Sequence, residues 1–274
     1  MQPYLFVDTI HMNSSSSSRP ALLEFAFFPK FPEKIEDLAK LAHKESWDFH
    51  NPAKPNYSIL KNYLFHTFDK LQTEQKIEFS SKNQHACFNT GLVTNYLEEI
   101  YAYFERNKNT NQQEYIFKGF LKKSDIRLTQ NFNSLPEIAD YFSKPEDLIF
   151  NPTFDIVPQI EHIIDDNLDR FPKSWQHNDK LKLHADLTGA IDIAVKKIKT
   201  NYTLAVPQYY GGRIQLLIPL VLTHNFTNPE LALVIYKASS NTYTARTCLT
   251  LEMAYNNARL IVKPYSSWLN PNNI

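Results

Sequence analysis

A histidine and an aspartate stand four residues apart at His162 and Asp166, a spacing at which two side chains meet on one face of a helix. Such a pair can orient a general base, supply two metal ligands, or simply pair at the surface of an acidic helix. The same segment, DIVPQIEHIIDDNLDR at 155–170, carries an apolar stripe of Ile156, Ile160, Ile163, Ile164 and Leu168. Asn167 falls inside that stripe. A buried amide without a partner costs about 1–3 kcal/mol, so backbone, another side chain or a ligand must satisfy it. Near the C-terminus, Glu252, Asn256, Arg259 and Lys263 follow at spacings of four, three and four. They form one helical stripe, beside a second of Leu251, Ala254, Tyr255 and Ala258 that suits a core. The polar stripe is either a solvated face, gaining about 0.2–0.5 kcal/mol per pair, or the wall of a pocket.

Standard phosphate and hydrolase signatures are absent. The sequence holds no G-x-x-x-x-G-K-[ST], G-x-G-x-x-G or G-x-S-x-G, and only five glycines. No H-E-x-x-H or carboxylate cluster points to a two-metal nuclease, so no metal ligand is assigned and the cofactor is unknown. Cys87 and Cys248 each lie in an apolar run and read as buried reduced thiols. What remains is rich in amides, with His, Arg and Tyr. Asn and Gln can read base edges, and Arg binds phosphate through two parallel hydrogen bonds. Lys+Arg and Asp+Glu are both 29, which argues against a protein held on nucleic acid by bulk charge and leaves room for a local basic groove.

The elements that must position these residues follow from periodicity. The 274 residues, 43% of them hydrophobic, can bury one large core or two closely packed ones. Helices are expected over 33–43 and 57–73, and a first sheet between 76 and 121. Ser134 to Glu137 reads as a capping box that opens a short helix. Further helices are expected at about 155–170 and 179–200, the latter closing on Lys196, Lys197 and Lys199 where the dipole is negative. In AVPQYYGGRIQLLIPL, Gly211-Gly212 is a two-residue hairpin turn, which sets Tyr210 against Arg213 and Gln208 against Gln215. Those four side chains share one face near the tip. LALVIYK at 231–237 reads as an interior strand, and 242–250 as the strand leading into the last helix. Strands grouped apart from helices indicate an α+β fold, antiparallel, with a C-terminal β-meander packed on several helices. The N-terminus MQPYLFVDTIHMN does not read as a signal peptide, and the apolar run at 214–222 is too short to span a bilayer. A cytoplasmic protein without membrane contact is expected, its oligomeric state open.

Several blocks resemble the domain-of-unknown-function family 3825: YSILKNYLFHTFDKL, FNTGL at 88–92, IYAYFERN at 100–107 and EHIIDDNLDRFP at 161–172. The resemblance continues through NYTLAVPQYYGGRIQLLIPL, LALVIYK, LTLEMAYNNARLI and KPYSSWL. It implies one α+β domain over 51–274 behind an extension, 1–50, that holds a serine-rich link at 14–18 and a short helix. The family's domain is often joined to RNA-binding modules of the LOTUS and cold-shock types, which implies a role in RNA metabolism. The polar residues inside these blocks then suggest an enzyme on RNA or a nucleotide, without metal. His162 and Glu252 would be its catalytic groups, and Arg170 and Arg259 would neutralise phosphate. Asn89, Asn167, Gln208, Gln215 and Asn256 would hold the ligand, with Asn256 or Arg259 meeting the Gln208/Gln215 face. The alternatives are a non-catalytic RNA-binding module, for which 15 tyrosines and 19 phenylalanines offer stacking surfaces, and a sensor of a small nucleotide in a defence system.

Overall fold

Three helices open the described chain. The computed structural model describes residues 19–50, 52–223 and 228–274; the serine run at 14–18 lies outside them. Helix α1 (Ala21–Phe25) runs into strand β1 (Ala26–Phe27), followed by α2 (Phe31–Leu41) and α3 (Ser58–Thr73). Pro32 and Glu33 in the first turn of α2, and Lys40 in its last, suit the helix ends. Asp48 caps α3 from ten residues upstream, its carboxylate accepting from the backbone N–H groups of Asn56, Tyr57 and Ser58. Leu22, Ala26, Ile35 and Leu38, all within the expected N-terminal extension, are fully buried in the same core as Leu60, Phe68 and Phe88.

The first sheet adds β2 (Glu78–Phe79), β3 (His85–Val93), β4 (Glu99–Arg106) and β5 (Tyr115–Lys122). Its order is β1-β5-β4-β3-β2, antiparallel except for the β1–β5 pair. Gly91 interrupts the β3–β4 ladder at φ +72°, and a Cβ there would lie 2.6 Å from the Tyr63 hydroxyl. That hydroxyl donates to Thr90 O at 2.8 Å. Gly91→Ala would therefore combine left-handed strain with overpacking. A loss of about 2–4 kcal/mol in chemical denaturation is expected.

Helix α4 (Ile126–Asn131) follows, capped by Asp125, whose carboxylate accepts from Arg127 N at 3.0 Å. The capping box at 134–137 opens no helix. The chain there is held extended along the end of α3: Lys76 donates to Ile138 O, and the Glu74 carboxylate accepts from Asp140 N. Tertiary partners thus satisfy the backbone groups that a helix would have paired.

The expected helix at 155–170 divides. Asp155–Pro158 is strand β6, parallel to a strand some 87 residues later in sequence, and only Ile160–Asn167 is helix, α5. A short 3-10 turn, Leu168–Arg170, extends it. After α6 (Lys173–Gln176) comes α7 (Lys180–Thr200), capped by Asp179. The meander is β7 (Val206–Tyr210), β8 (Arg213–Leu220), β9 (Leu231–Ser239) and β10 (Thr242–Thr250), and α8 (Leu251–Arg259) closes the fold behind a Thr250 cap. The second sheet has the order β6-β10-β9-β8-β7. Pro207 sits in edge strand β7, and Pro219 lies beyond Val206↔Leu217, the last pair that β7 makes.

The architecture is α+β, built around two five-stranded sheets. Helices α3 and α8 belong to the core between the sheets, which also takes Leu217, Ala232, Val234 and Leu249 from one face of the second sheet. Its other face, with Leu216, Ile218, Leu233, Ile235 and Cys248, packs on α5 and α7. Helix α4 covers the far side of the first sheet at Cys87, Tyr101 and Tyr103. Both cysteines are free and buried, and burial pushes the Cys248 thiol up to about 12. No helix among the described residues is long and apolar enough to cross a membrane.

Candidate functional site

Glycines 211 and 212, at φ +59° and +79°, form the tight turn that the right-handed strand twist favours. The expected register holds: Tyr210 pairs with Arg213, and Gln208 with Gln215. Gln208 and Gln215 are buried, and their amides are chained. Asn257 Nδ2 donates to Gln208 Oε1 at 3.1 Å, and Gln208 Nε2 donates to Gln215 Oε1 at 2.8 Å. The residue of α8 that meets the hairpin is therefore Asn257, and neither Asn256 nor Arg259 does so. Asn256 stands about 100° and Arg259 about 200° around the helix from Asn257, so both face away from the hairpin.

At the hairpin tip the second sheet emerges from under α8 and bounds a cleft of about 400 Å³. Tyr210, Arg213 and Gln215 line it from β7 and β8, Tyr236 from β9, and Arg246 and Thr247 from β10. The Arg213 guanidinium stacks on the Tyr236 ring, 3.9 Å from its centroid. Arg246 reaches the cleft through a bulge between Ala245 and Thr247. Tyr243, Ala245 and Cys248 all face the second core, so the alternation changes phase between 245 and 248. No acidic residue lines the cleft, and among the described residues neither Arg213 nor Arg246 joins an ion pair. Two guanidiniums, two tyrosines and one oriented amide thus share a volume in the small-ligand range.

Asn167 and Arg170 brace one wall of this cleft from behind. Asn167 Oδ1 accepts from Thr247 Oγ1 at 2.6 Å, from Cys248 N at 2.8 Å and from Arg170 Nη1 at 3.2 Å. Arg170 Nη1 also donates to Cys248 O at 2.6 Å. The partner of the buried asparagine is thus the bulged end of β10.

The other expected site residues lie apart. His162 is exposed on α5, with Nδ1 3.9 Å from Asp166 Oδ2. Glu252 is exposed at the start of α8 and faces His50 Nε2 at 3.2 Å. Because α5 and α8 pack on opposite faces of the second sheet, one reacting atom cannot be served by both. Asn89 is buried in the first sheet, donating to Glu99 Oε1 and the Tyr101 hydroxyl and accepting from Gly91 N. Its amide holds the β3 turn and is closed to a ligand. Hydrogen bonds from Lys123 hold the Glu99 carboxyl below its ordinary range, and burial pushes Tyr101 up to about 12.

Arg259 is buried against the segment before α3. Its Nε and Nη2 donate to the two Glu45 oxygens at 2.6 and 3.0 Å. The guanidinium lies over Tyr63 and Trp47, 4.6 and 5.1 Å from their ring centroids. Of the polar stripe, Glu252 is exposed, Lys263 lies beyond the end of α8, and the buried Asn256 and Arg259 do not open on the hairpin cleft. The stripe docks the segment at 45–50 onto the fold. Asn256 Oδ1, Tyr255 Oη and Trp47 Nε1 are buried there without a hydrogen-bond partner among the described residues.

Among the cleft residues, Tyr210 and Arg213 were legible in the hairpin alternation, and Arg246 was hidden by the bulge. Among the described residues, no group of three or more His, Cys, Asp or Glu side chains could hold a metal ion. No curated protein and no solved structure matches the chain. A family model matches residues 38–268, most of the chain, including every element of the cleft, and on that match the protein belongs to the family described as Domain of unknown function (DUF3825).

Proposed function

We propose that the hairpin cleft binds RNA or a nucleotide, with the phosphate on Arg213 and Arg246 and the base against Tyr210 or Tyr236. The observation that carries this reading is the pair of arginines without an acidic partner beside two tyrosines and an oriented amide in one cleft. Guanidiniums form charge-assisted, bidentate bonds to phosphate, base–aromatic stacking contributes about 1–3 kcal/mol per base, and Gln215 offers an amide edge. The formal charge of the whole chain is zero, so attraction would be confined to this face and contacts would be few.

Fluorescence anisotropy with a mixed-sequence RNA pool tests the reading. Binding is expected at low salt, with a slope of log affinity on log salt of about −1.4, since two phosphate contacts on a single strand give about −0.7 each. A mononucleotide arm, read by thermal shift, separates the small-nucleotide sensor: ligand at a hundred times its dissociation constant should add about 2.7 kcal/mol. Failure of both RNA and nucleotides to bind at low salt would remove the reading.

A further inference from the structure

A second cavity, of about 310 Å³, lies on the other side of the hairpin tip and shares Tyr210 and Gly211 with the arginine cleft. His66 and Asp69 line it from α3, and Asn257 from α8. His66 Nδ1 lies 3.7 Å from Asp69 Oδ2, which leaves Nε2 as the nitrogen turned away from the carboxylate. Lys70 also faces the cavity, held by Glu74 and lying 5.4 and 5.0 Å from the ring centroids of Tyr141 and Tyr209. The amide chain Asn257–Gln208–Gln215 runs from this cavity to the arginine cleft, so the two stand in one fixed register. Between them stand Tyr210 and the turn glycines Gly211 and Gly212, where a Cβ would meet nothing within 4 Å. A single strand can cross over the glycines, with the exposed Tyr210 ring as the side chain it meets.

We propose that this cavity is a catalytic site for metal-independent cleavage of single-stranded RNA, with His66 as general base. The proposal rests on the cleft's binding RNA and names the reaction that the bound strand undergoes. For this step, with one phosphate on the arginines, the neighbouring ribose must lie beside His66. The His66 Nε2 takes the proton of the 2′-hydroxyl, and the 2′-oxygen bonds to the adjacent phosphorus. The bond from phosphorus to the 5′-oxygen breaks, and that oxygen leaves with the electron pair and takes a proton from water. The imidazolium then returns its proton to the hydroxide so formed. The products are a 2′,3′-cyclic phosphate and a 5′-hydroxyl, and no co-reactant is consumed. The Lys70 ammonium stabilises the added negative charge at phosphorus.

The charged or titratable groups facing His66 are Asp69 and Lys70 from its own helix and Tyr209 and Tyr210 from the hairpin; α8 contributes only neutral Asn257 and Leu260. Burial lowers the proton affinity of His66, and Asp69 acts against it, so the imidazole titrates below 6.5. A base must be unprotonated to act. Cleavage should therefore be at its plateau at neutral pH and fall as the pH drops through a value below 6.5.

The test incubates the full chain, in a metal chelator, with an end-labelled RNA and the same sequence in 2′-deoxy form. Cleavage of the RNA alone, leaving cyclic phosphate ends, is expected. His66→Ala and the more conservative His66→Gln should each lose about 100-fold or more in rate, while RNA affinity stays within about twofold. Asp69→Asn should keep most of the rate with a shifted pH profile. RNA that binds the wild-type chain and is not cleaved overturns the proposal and leaves the binding reading intact. So does cleavage that persists in both His66 variants, or that extends to the deoxy strand. Absence of RNA binding by the wild-type chain overturns both.

Discussion

Glu45→Ala is expected to destabilise the protein by about 3–5 kcal/mol, read as a lower urea midpoint with little change in slope. Glu45 and Arg259 side chains are 8% and 9% exposed, so the pair is almost fully removed from water. Removing the carboxylate leaves a guanidinium that cannot deprotonate, buried between Trp47 and Tyr63. The acceptors that remain there, the Tyr63 and Tyr255 hydroxyls and Asn256 Oδ1, are neutral and do not replace the carboxylate's charge. The double replacement Glu45→Leu/Arg259→Met should cost less than Glu45→Ala alone, because no charge is then stranded. A double variant at least as unstable as the sum of the singles would show that the two residues act independently, which the bidentate geometry forbids.

Arg213→Ala/Arg246→Ala should weaken RNA or nucleotide binding by about 100-fold or more while changing stability by no more than about 1 kcal/mol. Each arginine carries one charge-assisted contact of about 1.5–3 kcal/mol, and 1.4 kcal/mol is a factor of ten. Both residues are exposed, and the fold loses only the stack of Arg213 on Tyr236, worth about 0.5–1 kcal/mol at such a site. The salt slope of binding should flatten at the same time, since counterion release falls with each lost contact. Arg213→Lys keeps the charge and loses the planar fork, and is expected to recover only part of the affinity. Unchanged affinity in the double variant would place binding on another surface.

The hairpin was the most legible part of the molecule, because two glycines and strict alternation determine the register locally. The segment at 155–158 was not. Ile156 and Ile160 fit a helical stripe, and nothing nearby reveals that Asp155 to Pro158 pair in parallel with Thr242 to Ala245. The capping box at 134–137 failed for the same reason: its competitors are Glu74 and Lys76, about sixty residues earlier. Asp125 was a local cap and passed unnoticed because its helix is only six residues long. For the site, spacing identified Gln208, Gln215 and the buried role of Asn167. It favoured His162, whose partner is four residues on, over His66, whose neighbours in the cavity come from a hairpin and a helix far along the chain. Polar stripes identify a face; they do not say whether water, a ligand or another segment covers it, and residues 45–50 cover that of α8.

Hydrogen exchange of the chain with and without a short RNA tests the location of the site most directly. Slowed exchange is expected in Tyr210–Gln215, in Tyr236 and its neighbours, and across the bulge at Ala245–Thr247, with α5 around His162 unchanged. Protection centred on α5, or on the 45–50 segment and α8, with the hairpin unaffected, would contradict that location.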